Sequence, residues 1–480
     1  MRRSIPHWLL LLGVLASAAD IAPAPDGTTP LQSAVRKDDL AAVEKLIRAG
    51  TDVKAGDRYG ITPLYLACSN ASVSMIRKLL DTGADPNFAY PSNGETPLMT
   101  LIHAEDNPEA LQLLLDRGAA VNATDTVAGE TALMWAVREN RPASARLLLE
   151  RGAEAGVRTR VGQAPARRPP NAGGGSHGVG IVRSGWPDRG FQDATPGGMT
   201  ALLYASRDGR LDIARMLVEG KANVNLAEAN GVTPLSIAIL NNHLELANYL
   251  LERGADVNAR DFWGRLPLWE AVELRNLDVN KTEDNGVDRA AALSLIKALL
   301  DRGASVNART AEVPPIRRWI MPIGDLSWVD FTGQTPFLRA ALSGDVTVMR
   351  ILLDQGADPN MPTLAGTTPL MAAAGVNWVA GQTYAESKAS LMEAVKLCLE
   401  KGADVNAVNS MGIGAVIGAA NRGSDDILEF LVQHGARLDL KDKEGRTPLV
   451  WAEGVFLATN APERKPSTVA LIQKLTGGSK

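Results

Sequence analysis

Gly231-Val232-Thr233-Pro234-Leu235 opens a stretch that closes on Leu250-Leu251-Glu252-Arg253-Gly254-Ala255-Asp256-Val257-Asn258. Thr233 is suited to cap a helix, and Pro234 suits its first position, where a missing N–H costs nothing and φ is already set. Leu235, Ala238 and Ile239 then fall on one helical face. After Asn241-Asn242, a second face is formed by Leu244, Leu246, Ala247, Leu250 and Leu251. The spacing predicts two short antiparallel helices. Gly254 supplies the left-handed residue that ends the second, and Gly-Ala-Asp-Val-Asn turns the chain toward the next copy. A single pair cannot cover both of its own apolar stripes, so it requires neighbours on either side.

Those neighbours are written along the chain. Gly-x-Thr-Pro-Leu recurs clearly at Gly27, Gly60, Gly94, Gly231, Gly366 and Gly445, and in weaker spellings at Gly129, Gly198, Gly264, Gly333 and Gly412, which makes eleven units. Successive spacings of 33, 34, 35, 69, 33, 33, 69, 33, 46 and 33 are one period with insertions. The Leu-Leu-x-x-Gly-Ala-Asp-x-Asn pattern repeats in register with it. Stacked at ~8–10 Å per pair, such units make a body on the order of 100 Å long that offers surface rather than an enclosed cavity.

These two ladders resemble the ankyrin repeat family, from about Gly27 to Leu475. The resemblance implies an all-α fold: an ankyrin-repeat α-solenoid of about eleven helix-turn-helix units with β-turn fingers, here with four insertions. It also implies protein binding through a concave groove and finger tips. The family's histidine after Thr-Pro-Leu is absent from every unit; those positions hold residues such as Tyr65, Met99, Trp269 and Met371. The fifth unit carries Lys221 where the helix-ending glycine belongs, with Gly220 one place early, so a local irregularity is expected there. Ser467 is expected to cap the last helix.

Composition narrows the function. The 480 residues hold 50 Lys plus Arg against 54 Asp plus Glu, a net charge of −4 that gives no global attraction to nucleic acid. Two cysteines, Cys68 and Cys398, exclude a disulfide framework, and five scattered histidines leave no metal-ligand spacing. No catalytic residue, cofactor or metal is expected. Arg2-Arg3, the apolar run Trp8 to Leu15 and the small residues Ala16-Ser17-Ala18-Ala19 read as a signal peptide over 1–19. Residues 20–480 are then a single solenoid, exported to the periplasm or secreted, bacterial in character, monomeric and without membrane insertion once the signal is removed.

The insertions give the chain its individuality. Residues 158–196 form a Gly-, Pro- and Arg-rich segment read as a flexible loop or a basic docking loop; its Ser176-His177 lacks the strand-turn-helix setting that a hydrolase nucleophile requires. A second insertion, around Asn276 to Asp288, is acidic but without calcium-loop spacing. A third, around Glu312 to Phe331, contains Trp319 and Trp328, and a fourth lies around Trp378 to Lys388. Candidate partner-binding residues are the finger-tip Arg58, Tyr59, Phe262, Trp263 and Arg265, the first-helix residues Arg207, Asp208 and Glu273, and the insertion tryptophans Trp319 and Trp328. Aromatic and Arg side chains are the usual anchors of interfaces. The leading expectation is a non-enzymatic scaffold for a protein partner. The alternatives are a small-ligand or catalytic site assembled from the insertions, and a passive spacer.

Overall fold

Thr before Pro determines where the helices begin. In the computed structural model, which describes residues 27–162, 197–276, 286–311, 332–377, 387–455 and 463–477, the hydroxyls of Thr29, Thr62, Thr96, Thr131, Thr200, Thr233, Thr335 and Thr368 each accept the N–H three residues on. Such a cap stabilises a helix by about 1 kcal/mol. Where the threonine is replaced the bond goes with it, as at the N-caps Leu266 and Gly414, and Thr447 stands at the N-cap of its helix without one.

The chain divides into two compact units, Met1–Arg160 with Gly197–Asn223, and Val161–Pro196 with Val224–Lys480. The described part of the first contains five helix pairs: α1 (Pro30–Arg36) and α2 (Leu40–Arg48), α3 (Pro63–Ser69) and α4 (Val73–Asp81), α5 (Pro97–Ala104) and α6 (Pro108–Asp116), α7 (Ala132–Arg138) and α8 (Pro142–Glu150), α9 (Ala201–Asp208) and α10 (Leu211–Glu219). In the second, six pairs follow: α11 (Pro234–Leu240) and α12 (Leu244–Glu252), α13 (Pro267–Arg275) and α14 (Arg289–Asp301), α15 (Pro336–Ser343) and α16 (Val346–Asp354), α17 (Pro369–Ala374) and α18 (Lys388–Glu400), α19 (Ala415–Arg422) and α20 (Asp425–Gln433), α21 (Pro448–Glu453) and α22 (Pro466–Leu475). Within each unit the first helix of a pair packs on the first helix of the next, α3 between α1 and α5, and α17 between α15 and α19. All seven residues of α11 are buried, because its pair partner and its neighbour cover opposite sides. The all-α repeat architecture expected from the sequence is the one adopted.

Second helices end alike. Gly254 takes φ +84°, its N–H donates to Leu251 O at 3.2 Å and the Ala255 N–H donates to Leu250 O at 3.0 Å. This is the paired-bond C-terminus that needs a left-handed residue. Lys221 makes the same turn, at φ +65°, with its N–H on Val218 O at 3.0 Å and the Ala222 N–H on Leu217 O at 2.9 Å. The expected irregularity is therefore absent: the hydrogen bonds hold a lysine in a backbone region that penalises a Cβ. The expected Ser467 cap is also corrected. Pro466 occupies the first helical position, so Lys465 is the N-cap and Ser467 already lies inside α22.

Where a copy closes on Asn, that residue joins it to the next. Asn258 Nδ2 donates to Gly303 O at 3.0 Å and its Oδ1 accepts the Ser305 N–H at 2.8 Å. Asn87, Asn122, Asn225, Asn307 and Asn406 repeat this two-bond clamp. Among the described residues, no helix is long and apolar enough to cross a membrane.

Candidate interaction surface

Between helix pairs the chain projects fingers, and main-chain bonds join each finger to its neighbour. In the second unit the N–H groups of Phe262, Ala311, Leu364, Ser410 and Lys443 donate to the oxygens of Asn230, Trp263, Thr332, Ala365 and Met411 at 2.7–3.0 Å. In the first unit Thr126 and Arg160 donate to Asn93 and Ala128, each at 2.7 Å. Pro91 stands three residues before Gly94, as Thr126 does before Gly129, and has no N–H to offer the preceding finger. Its ring packs there instead, so close that a Cβ on Gly60 would lie 2.7 Å from Pro91 Cγ.

Two insertions leave from fingers whose necks are closed in the same way. Thr310 exchanges main-chain bonds with Gln334 and Gly333, and its hydroxyl accepts the Gln334 N–H at 2.9 Å. Thr159 does the same with Met199 and Gly198. An insertion at this point leaves the helix stack in register.

The candidate residues divide by exposure. Tyr59 is 56% exposed; Arg58 Nη2 donates to its hydroxyl at 2.6 Å and lies over its ring. Phe262 and Trp263 are half-buried and meet edge-on, ring centres 5.4 Å apart. Arg265 is a correction to the finger-tip reading. It is 2% exposed, with Nε donating to Asp261 Oδ2 at 2.6 Å and its guanidinium 5.1 Å from the Trp263 ring centre. Its side chain runs inward because Asp261 is itself buried and needs a charge partner. It therefore supports the tip from behind. Burial raises the Asp261 carboxyl above its ordinary value, and the Arg265 guanidinium opposes that shift.

Arg207 and Asp208 sit at the end of α9 and pair with one another through two bonds, at 2.7 and 3.0 Å. Arg207 also covers the Tyr204 ring at 4.8 Å. The Tyr204 hydroxyl donates to Glu130 Oε1 at 2.5 Å, and Arg138 Nη1 donates to the other Glu130 oxygen at 2.5 Å. Burial, then the Glu130 bond, pushes the Tyr204 phenol well up. Glu273 accepts a bond from Arg339 Nε, so it is held within its own chain. Around it Arg339 also reaches Asn276 O at 2.8 Å and Ser343 Oγ at 2.9 Å, while Arg275 Nε donates to Asp345 Oδ2 at 2.8 Å. These bonds fasten α13, α15 and the start of α16 beside the second insertion.

Trp319, Trp328, Ser176, His177, Asp278 and Asp284 lie outside the described residues. Asp288 caps α14, accepting the N–H groups of Ala290 and Ala291. Cys68 and Cys398 are free and buried; burial raises both thiols, that of Cys398 to about 12. Among the described residues, no group of three His, Cys, Asp or Glu side chains is placed to hold a metal ion. Glu130, Tyr204, Arg260 and Arg309 were not singled out in the sequence. The signal for the last two was an Arg immediately before the residue that anchors a finger.

Helix pairs stacked in register, with fingers bonded edge to edge, define a helical repeat protein. The family model described as "Ankyrin repeats (3 copies)" matches residues 7–90, 86–159, 180–261 and 383–454, and the single "Ankyrin repeat" matches 332–361. Together these matches cover more than half of the chain, which belongs to the ankyrin repeat family. It is similar to the B-cell lymphoma 3 protein of Homo sapiens, 37% identical over 23% of this chain and 25% of that protein. It is similar also to the ankyrin repeat, SAM and basic leucine zipper domain-containing protein 1 of Dasypus novemcinctus, 33% identical over 28% of each. The nuclear factor NF-kappa-B p105 subunit of Gallus gallus matches at 34% over 28% of this chain and 14% of that protein. The chain thus spans 28% or less of the length of these curated relatives. A crystal structure of the ankyrin repeat domain of Bcl-3 is matched at 26% identity over 51% of this chain and 93% of that one, with a TM-score of 0.40.

Proposed function

We propose that the chain is a non-enzymatic scaffold that binds a partner protein through its finger tips and first-helix faces. The observation that carries this reading is the Phe262-Trp263 pair: a preorganised aromatic tip on a finger bonded to its neighbours on both sides and backed by a buried guanidinium. A rigid aromatic loses little entropy on binding, so a few such anchors suffice for specific recognition. Tyr59 with Arg58 offers a second anchor of the same kind in the first unit.

Affinity capture with the full chain, beside a Phe262→Ala/Trp263→Ala variant of unchanged helicity, tests the reading. A protein held by the wild type and lost by the variant is the expected result. Equal retention, or none by either, overturns it. Arg265 is left intact in that variant because its removal would strand Asp261. Export rests on the Arg2-Arg3 and Trp8–Leu15 pattern. It is tested by N-terminal sequencing of protein recovered outside the cytoplasm; an intact Met1 on wholly cytoplasmic protein overturns it.

A further inference from the structure

One edge of the second unit carries positive charge that no carboxylate among the described residues pairs with. Arg260 is exposed, and its Nη1 donates to the main-chain oxygen of Arg309 at 3.1 Å. Arg309 in turn donates to the carbonyls of Gly333, at 3.3 Å, and Pro362. All three acceptors are neutral, and neither guanidinium forms an ion pair among the described residues. The finger's own acid is committed elsewhere: the Asp261 side chain is 1% exposed and faces Arg265 at 2.6 Å. Each guanidinium keeps further N–H donors of the fork geometry that fits a carboxylate.

Apolar surface lies on the same fingers. The Ala311 N–H donates to Trp263 O at 2.8 Å, which fixes the Trp263 finger against the segment that carries Arg309. The next finger, reached by Arg309 at Pro362, presents Leu364 at 53% exposure. Two arginines are thus interleaved with an indole and a leucine along one edge.

We infer that this edge binds an acidic, leucine-bearing segment of a partner protein, its carboxylates on Arg260 and Arg309 and its apolar side chains on Trp263 and Leu364. The inference rests on the protein-binding reading above and names the chemistry of the partner. Two guanidiniums are too few to track a phosphate backbone, whose binding is built from a longer row of cations. A net charge of −4 adds no long-range attraction for one.

Fluorescence anisotropy with the full chain tests this, using a labelled peptide of alternating Glu and Leu, the same peptide with Lys for Glu, a labelled single-stranded oligonucleotide, and vesicles of phosphatidylserine and phosphatidylcholine. The Glu-Leu peptide is expected to bind and the Lys-Leu peptide to fail. Added salt should weaken the complex, and Arg260→Glu should lower affinity by about tenfold, equivalent to ~1.4 kcal/mol. Arg260 is chosen because it is exposed, whereas Arg309 holds two fingers together. A circular dichroism melt confirms that Arg260→Glu remains folded. No binding, equal binding of both peptides, preference for oligonucleotide or vesicles, or affinity indifferent to Arg260→Glu overturns the inference. If captured protein is lost on Phe262→Ala/Trp263→Ala but kept by Arg260→Glu, the scaffold reading stands and the acidic segment falls.

Discussion

Two fingers of the second unit share the spelling Asp-x-x-Gly-Arg, at 261–265 and 442–446, and differ in what surrounds them. Each arginine bonds its aspartate through Nε at 2.6 Å and donates its main-chain N–H to the same carboxylate at 2.8 Å. Each lies over a tryptophan, Trp263 on its own tip and Trp451 on the following helix. Yet the Arg265 side chain is 2% exposed and that of Arg446 is 28% exposed. The first finger is bonded on both sides, to Asn230 and Ala311, whereas the second bonds Met411 and has no such partner beyond it among the described residues. The local motif determines the ion pair, and the neighbours determine how much water it loses. Asp442 also accepts the Trp451 Nε1–H at 2.9 Å, a support that Asp261 does not share.

The strongest way to break this comparison is to remove each arginine. Arg265→Ala leaves Asp261 buried with no cation and is expected to cost about 3 kcal/mol of unfolding free energy, as loss of one partner of a buried pair does. Arg446→Ala should cost less, about 2 kcal/mol, because Asp442, though buried, keeps the Trp451 indole N–H and the Arg446 guanidinium is already partly hydrated. Urea denaturation of the two variants measures the difference, and equal losses would show that burial is not what separates the fingers.

Asn258 extends the contrast to contacts between copies. Asn258→Ala removes both bonds to the next copy and should cost about 1–2 kcal/mol in the same assay, whereas Lys54 and Gly156 stand at that place in their copies and hold no clamp to lose. An Asn258→Ala chain as stable as wild type would reduce the clamp to decoration.

Lys221 and Gly254 sharpen it further, with the same hydrogen bonds around different residues. Lys221→Gly relieves a left-handed lysine and should raise stability by about 1 kcal/mol; Gly254→Lys should lower it by a similar amount. Thermal melts that move in the same direction for both would sink this account.

The smallest effect is at Glu228, which anchors its finger without any arginine and accepts the N–H groups of Asn230 and Val232. Burial raises its carboxyl above the ordinary value. The native state then binds the proton more tightly than the unfolded state, so this group's stabilisation grows as pH falls through the raised value and is complete below the ordinary ~4.3. Relative to Glu228→Gln, the wild type should gain stability on acidification across that window and lose it as pH rises. A difference independent of pH would contradict the shift.

Much of this was legible from short spellings. Thr before Pro-Leu marks a cap because the hydroxyl, the missing N–H and the first apolar residue all act within one turn. The period was readable because each pair needs the same neighbour. Arg265 was misplaced because its spelling puts it beside a tip, while its depth is set by fingers about thirty residues before it and about fifty after it in sequence. Lys221 was read as a defect from its residue type, but the bonds that hold the turn are main-chain and hardly register the side chain. Ser467 was readable in principle: a proline just before it fills the first helical position. The Asn clamp and the Glu130–Tyr204 bond join residues from different copies, and no single copy spells such a contact.

Pro91 turns the finger row of the first unit into a mechanical element with a weak seam. Force drawn through finger tips is shared by their main-chain bonds, and between Gly60 and Pro91 there is a close ring approach where the later fingers have a bond. A load applied at Arg58 and Tyr59 would peel their finger away first, while those carrying Asn93, Thr126, Ala128 and Arg160 still hold together. Replacing Pro91 with a residue that has an N–H would raise the rupture force at that step and delay it in the order of unfolding.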